Sequence, residues 1–106
     1  MSEEQKIWLF CPYLNENVLL TGERYNHIIE KHPRVFQEGV EDFRAAIAQP
    51  DQIRRNPQGS LKFVIDLGIH YLVIVLNRIK RDNTWKIATA YDSETLSNQD
   101  EVLWKK

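Results

Sequence analysis

The sequence predicts an α+β fold in which two N-terminal helices pack on one face of a curved antiparallel β-sheet. Three observations carry that expectation. Apolar residues recur at helical spacing through the stretches around residues 21–33 and 38–49, and from residue 51 onward they alternate at strand spacing. The links between the later strands are too short for helical crossovers, so those strands are expected to run antiparallel. Hydrophobic residues make up 42% of the 106 positions, enough for one core without a disulfide or metal staple. Residues 1–106 therefore read as a single domain, with its core over about 7–93 and a polar tail over 94–106.

Taken in order, Ile7–Pro12 reads as a first strand, on an edge because Pro12 lacks a ladder donor. Asn15-Glu16-Asn17 is a turn, and Val18-Leu19-Leu20 is a short apolar lead into a helix. Thr21 is placed to cap that helix, Glu23 favours its positive end, and Pro33 stops it. A second helix spans about Glu38 to Gln49, with Val40, Phe43 and Ile47 on its apolar stripe and Pro50 beyond its end. Asp51–Arg55 reads as a short strand, and Asn56-Pro57-Gln58-Gly59 as a turn. Leu61, Phe63, Ile65 and Leu67 alternate with Lys62 and Asp66 up to Gly68. His70–Ile79 is apolar on both faces in its middle, over Leu72-Val73-Ile74-Val75-Leu76, and takes the centre of the sheet. Thr84–Tyr91 closes it, with Trp85, Ile87, Thr89 and Tyr91 expected on one face. The tail is polar up to Val102-Leu103-Trp104, which either folds back or serves a partner.

Composition narrows the function classes. The single cysteine, Cys11, excludes an internal disulfide framework and fits a reducing compartment. It has no cationic neighbour in sequence to activate it, which argues against a thiol enzyme. The first residues lack the basic flank and apolar run of a signal peptide, and Tyr71–Leu76 is too short to span a bilayer. The expectation is a cytoplasmic protein with no membrane partner. A net charge of −1 neither shows nor excludes a nucleic-acid surface, because a local patch matters more than the sum.

The chemistry concentrates on the first helix. Arg24, His27 and Lys31 fall on one side of it, while Tyr25, Ile28 and Ile29 form an apolar underside. His32 stands about 140° round from His27, so the two rings share a site only if the last turn bends. Cleaving RNA without a metal needs a base for the 2′-hydroxyl, an acid for the leaving 5′-oxygen and fixed cations for the charge on phosphorus. Histidine suits the first two roles and arginine the third. The expected sheet adds Arg54 and Lys62 as phosphate contacts and the hydroxyls of Thr89 and Tyr91. Two histidines five apart with no third ligand in register make a poor metal site, so neither metal nor cofactor is expected. Each feature also has a plain reading: a surface histidine on a helix, a histidine complementing a helix C-terminus, or charges that guard a sheet edge.

The run from Leu20-Thr21-Gly22-Glu23-Arg24-Tyr25-Asn26-His27-Ile28 to Glu30-Lys31-His32-Pro33, the step Pro50-Asp51-Gln52-Ile53 and the strand Ile87-Ala88-Thr89-Ala90-Tyr91 resemble one family. It is the phage-associated domains of the barnase–EndoU–colicin–RelE nuclease superfamily, and the likeness covers about Leu20 to Ser93. The resemblance implies a barnase/RelE-like metal-independent ribonuclease, acting as a toxin or RNA-processing module. Its expected partners are RNA and, as a candidate, an antitoxin or immunity protein. Carried over by position, the matching residues are Arg24, His27, His32, Thr89 and Tyr91, whereas Lys31, Arg54 and Lys62 rest on the residue argument alone. Two other readings stay open: a non-catalytic RNA- or protein-binding module on the same fold, and a structural domain that uses the Trp104 tail.

Overall fold

The chain opens with a hairpin, not a helix. In a computed structural model describing residues 1–106, Lys6–Cys11 (β1) pairs antiparallel with Glu16–Thr21 (β2) in unbroken register. Asn15 turns the chain at φ 53°, a left-handed conformation that asparagine tolerates better than most residues. Buried Leu9, Cys11, Val18 and Leu20 alternate with more open neighbours, as period two requires of a half-buried hairpin.

β2 runs straight into the helix Gly22–Lys31 (α1). The Thr21 side-chain oxygen accepts the Arg24 backbone N–H at 3.2 Å. The N-terminal arm also feeds this helix end: Gly22 N–H donates to the Gln5 carbonyl at 2.8 Å and Glu23 N–H to the Glu3 carbonyl at 3.2 Å. Gly22 is required there, because a Cβ would stand 1.8 Å from the Ser2 carbonyl oxygen. At the other end His32 leaves the helix at φ −133° and ψ 57°, as a residue before proline is driven to do. The second helix, Val40–Ala48 (α2), buries Phe43, Ala46 and Ile47, and Phe36 stacks on Phe43 with centroids 4.6 Å apart.

Five more strands follow: Gln52–Arg55 (β3), Leu61–Asp66 (β4), Tyr71–Ile79 (β5), Thr84–Ser93 (β6) and Glu101–Lys105 (β7). The strand order is β1-β2-β6-β5-β4-β3-β7, so β5 is central. All pairs are antiparallel except β2 with β6, joined in parallel at Leu19 and Lys86. This overturns the expected fold class. The molecule is a seven-stranded mixed sheet with helices of only 10 and 9 residues, not two N-terminal helices packed on a curved antiparallel sheet. Two short apolar runs account for the difference. Val18-Leu19-Leu20 zips onto β1 and becomes β2, while Val102-Leu103-Trp104 folds back beside β3 and becomes β7. Runs of three apolar residues carry no readable period, so only the pairing partner decides their state.

The register also sorts side chains by face. Leu61, Phe63, Leu72, Ile74, Leu76, Ile87 and Ala90 join Ile28, Phe43 and Ile47 of the helices in one buried cluster. A register shift between Val75 and Leu76 leaves Ala88 unmatched in β6. Trp85 and Ile87 therefore share the core face with Ala90, while Thr89 and Tyr91 turn to the other face, contrary to the simple alternation. No helix is long and apolar enough to cross a membrane.

Candidate functional site

His27 is exposed on α1 and stands in a groove of about 370 Å³ lined by Glu3, Glu23, Arg24, Asn26, His27 and Glu30. No apolar side chain contributes to it. Helical spacing explains most of the lining, since Glu23, Arg24 and Glu30 are one turn from His27 on the same side. The N-terminal arm supplies the rest: Met1 accepts a hydrogen bond from the Asn26 side chain at 2.6 Å, which lays Glu3 along the groove. The upper side of α1 is thus not the cationic surface that Arg24, His27 and Lys31 suggest. Three carboxylates share it with one guanidinium. The groove thus sets one guanidinium and two carboxylates each about a helical turn from the His27 imidazole, groups of the kinds that exchange protons and pair with an anion.

His32 lies outside this groove. Having left the helix, its ring turns to β6, where Nδ1 lies 3.2 Å from Asp92 Oδ1. Asp92 follows Ala90 on the core face and was invisible as a partner in sequence, 60 positions away. A carboxylate on Nδ1 fixes the orientation of an imidazole and leaves Nε2 for other work. Lys31 is exposed beside the groove but is not part of its lining.

The remaining four residues sit across the sheet. Arg54 pairs with Lys62, Lys62 with Val75 and Val75 with Thr89, one row over four strands, and Tyr91 stands in the next row opposite Val73. That row is on the face away from α1. The structure therefore divides the eight candidates: Arg24, His27, Lys31 and His32 on one side, Arg54, Lys62, Thr89 and Tyr91 on the other.

Arg54 and Lys62 are also committed. The Asp100 carboxylate, whose side chain is 1% exposed, lies 3.3 Å from Arg54 Nε and 3.1 Å from Lys62 Nζ. Arg54 further donates to the Gln52 side-chain oxygen at 2.9 Å and to the Ser97 carbonyl at 2.7 Å. These bonds pin the β6–β7 connection over the sheet. Their chemistry is closure, not ligand capture.

A larger cleft of about 680 Å³ lies at the end of α2, between Pro12, Tyr13, Ile47, Pro50, Ile53 and Trp104. It is mostly apolar and contains no acid–base pair, so its greater size does not make it the better site for proton transfer. Cys11 is buried, and burial pushes its thiol above the ordinary value of 9.0. It is no nucleophile at neutral pH. No cluster of three or more His, Cys, Asp or Glu is disposed to hold a metal ion. No protein-family model, curated protein or solved structure matches this chain.

Proposed function

We propose that the protein is a metal-independent ribonuclease, a toxin or RNA-processing module of the cytoplasm, working at the His27 groove. One observation carries this reading: an exposed imidazole stands in a wholly polar concavity with a guanidinium and carboxylates one helical turn away. In the step envisaged, Glu23 or Glu30 takes the proton of a ribose 2′-hydroxyl as that oxygen bonds to phosphorus. Arg24 holds the non-bridging oxygens, and His27 gives its proton to the 5′-oxygen as the P–O5′ bond breaks. The products are a 2′,3′-cyclic phosphate and a 5′-hydroxyl. His32, oriented by Asp92, stands outside the groove, so a groove carboxylate replaces it as partner to His27. A single buried thiol suits a reducing compartment, which supports the cytoplasmic assignment. An antitoxin or immunity protein would have to cover this groove to silence it.

The test is RNA cleavage in a metal chelator by the parent and by His27→Gln, which keeps a polar side chain of similar bulk. Cleavage is expected to fall by roughly 10²- to 10⁴-fold in the variant, the usual yield of a positioned acid or base. A variant that cleaves like the parent removes His27 from the chemistry. A parent that binds RNA without cutting it selects the non-catalytic binding module instead.

A further inference from the structure

The sheet has two edges, β1 and β7, and they are built differently. β7 meets β3 across an irregularity: Arg54 pairs with Val102 and Ile53 with Trp104, leaving Leu103 unmatched. That bulge puts Val102 and Trp104 on opposite faces, and Glu101 and Lys105 place charges at its ends. Bulges and charges are the common means of keeping an edge from recruiting another strand. β1 has neither. Its six residues keep continuous register with β2, its only charge is Lys6 at the start, and no proline interrupts it. No backbone hydrogen bond outside the hairpin ladder reaches Lys6–Cys11, so the outward N–H and C=O groups of this strand have no partner in the chain. Trp8 and Phe10, two positions apart on the same face, are 49% and 51% exposed.

We propose that β1 pairs antiparallel with β1 of a second copy of this chain, about a two-fold axis through Leu9. An axis perpendicular to the sheet keeps each residue on its own face, so only positions of equal parity can oppose one another. Through Leu9 it sets Trp8 opposite the partner subunit's Phe10, and the reverse, giving two aromatic cross-strand pairs on the exposed face. Ile7 meets the partner subunit's Cys11, so Ile7–Cys11 pair throughout, and Lys6 falls opposite a proline beyond the strand end, so no like charges oppose. An axis through Trp8 leaves Cys11 unpaired. One through Phe10 sets Trp8 against a proline that has no N–H to give. This self-complementarity is what selects a second copy over a foreign strand.

The area sets the strength. With about half of each ring open, the two aromatics bring roughly 200 Å² per chain, given 150–250 Å² for a full aromatic side chain. Even with the backbone edge added, the interface stays near or below the ~1,200 Å² of a stable complex, so the dimer is reversible and concentration-dependent. This inference does not rest on the ribonuclease reading.

Sedimentation from micromolar to millimolar protein tests it. The parent is expected to pass from monomer to dimer mass, and Phe10→Lys to stay monomeric with an unchanged circular-dichroism spectrum. In a Cys11→Ala background, a mixture of Trp8→Cys and Phe10→Cys chains, which keeps one of the two aromatic pairs, should oxidise to a covalent heterodimer, and Trp8→Cys alone should not. A parent that stays monomeric at the highest concentration overturns the proposal, and so does a dimer that survives Phe10→Lys. Equal cross-linking by Trp8→Cys alone overturns the Leu9 axis.

Discussion

The His27 groove and the Asp100 cluster use the same kinds of residue to opposite ends. Around His27, carboxylates and a guanidinium line an open groove, and no ion pair ties Arg24 down. Around Asp100, a carboxylate 1% exposed draws in Arg54 and Lys62, whose side chains are themselves nearly buried. Dielectric and partnering separate the two. A cation held at about 3 Å by a buried carboxylate cannot turn to a phosphate without leaving that carboxylate uncompensated, which is costly. A cation on an exposed helical turn turns at almost no cost, but it is also screened and grips weakly.

The largest effect expected from breaking this contrast is at Asp100. Asp100→Ala leaves Arg54 and Lys62 without their counter-charge and should cost about 3–5 kcal/mol of stability in urea unfolding. Cleavage per folded molecule should be unchanged. A loss below about 1 kcal/mol would mean that the cluster is no more than a surface ion pair.

Thr21→Ala probes the groove side through its scaffold. Removing the hydroxyl that accepts Arg24 N–H should cost about 1 kcal/mol, read by the same unfolding curves. Here cleavage should weaken as well, because this cap holds the turn that carries Arg24.

Cys11 shows burial acting on a single group. Its folded thiol titrates above 9.0, so its contribution to stability is full below about pH 9 and fades as pH rises through the raised value. Above pH 9 the parent should lose stability more steeply than Cys11→Ala, and thiol reagents should label it rapidly only after unfolding. Equal slopes would mean that the thiol is not desolvated.

The smallest effect expected is on salt dependence. With few free cations near the groove, log affinity for single-stranded RNA should fall only shallowly with log salt, by about 0.7 per phosphate neutralised. Lys31→Ala should remove about one such unit. Lys62→Ala should leave the slope unchanged while destabilising the fold, and a change of slope there would place RNA on the sheet face.

Much of the chain was legible before its folding was known. α1 with its Thr21 cap and Pro33 stop, α2 before Pro50, and the strands β3 to β6 all announce themselves by period and punctuation. Two strands did not, because Val18-Leu19-Leu20 and Val102-Leu103-Trp104 are too short to carry a period, and these same runs change the fold class. At the site, the exposure of His27 and its nearness to Arg24 follow from helical spacing. Glu23 and Glu30 obey the same spacing and could have been read as groove residues beside it. Asp92 and Asp100 could not, since each meets its partner only after the sheet has closed over dozens of residues. The Ala88 bulge was equally hidden, and it decides which way Thr89 and Tyr91 point.

The ends of the RNA fragments formed in the presence of a chelator test the account most directly. Proton transfer at the His27 groove predicts a 2′,3′-cyclic phosphate on one fragment and a 5′-hydroxyl on the other, both lost in His27→Gln. Fragments bearing a 5′-phosphate, or cleavage that stops when the chelator is added, would contradict it.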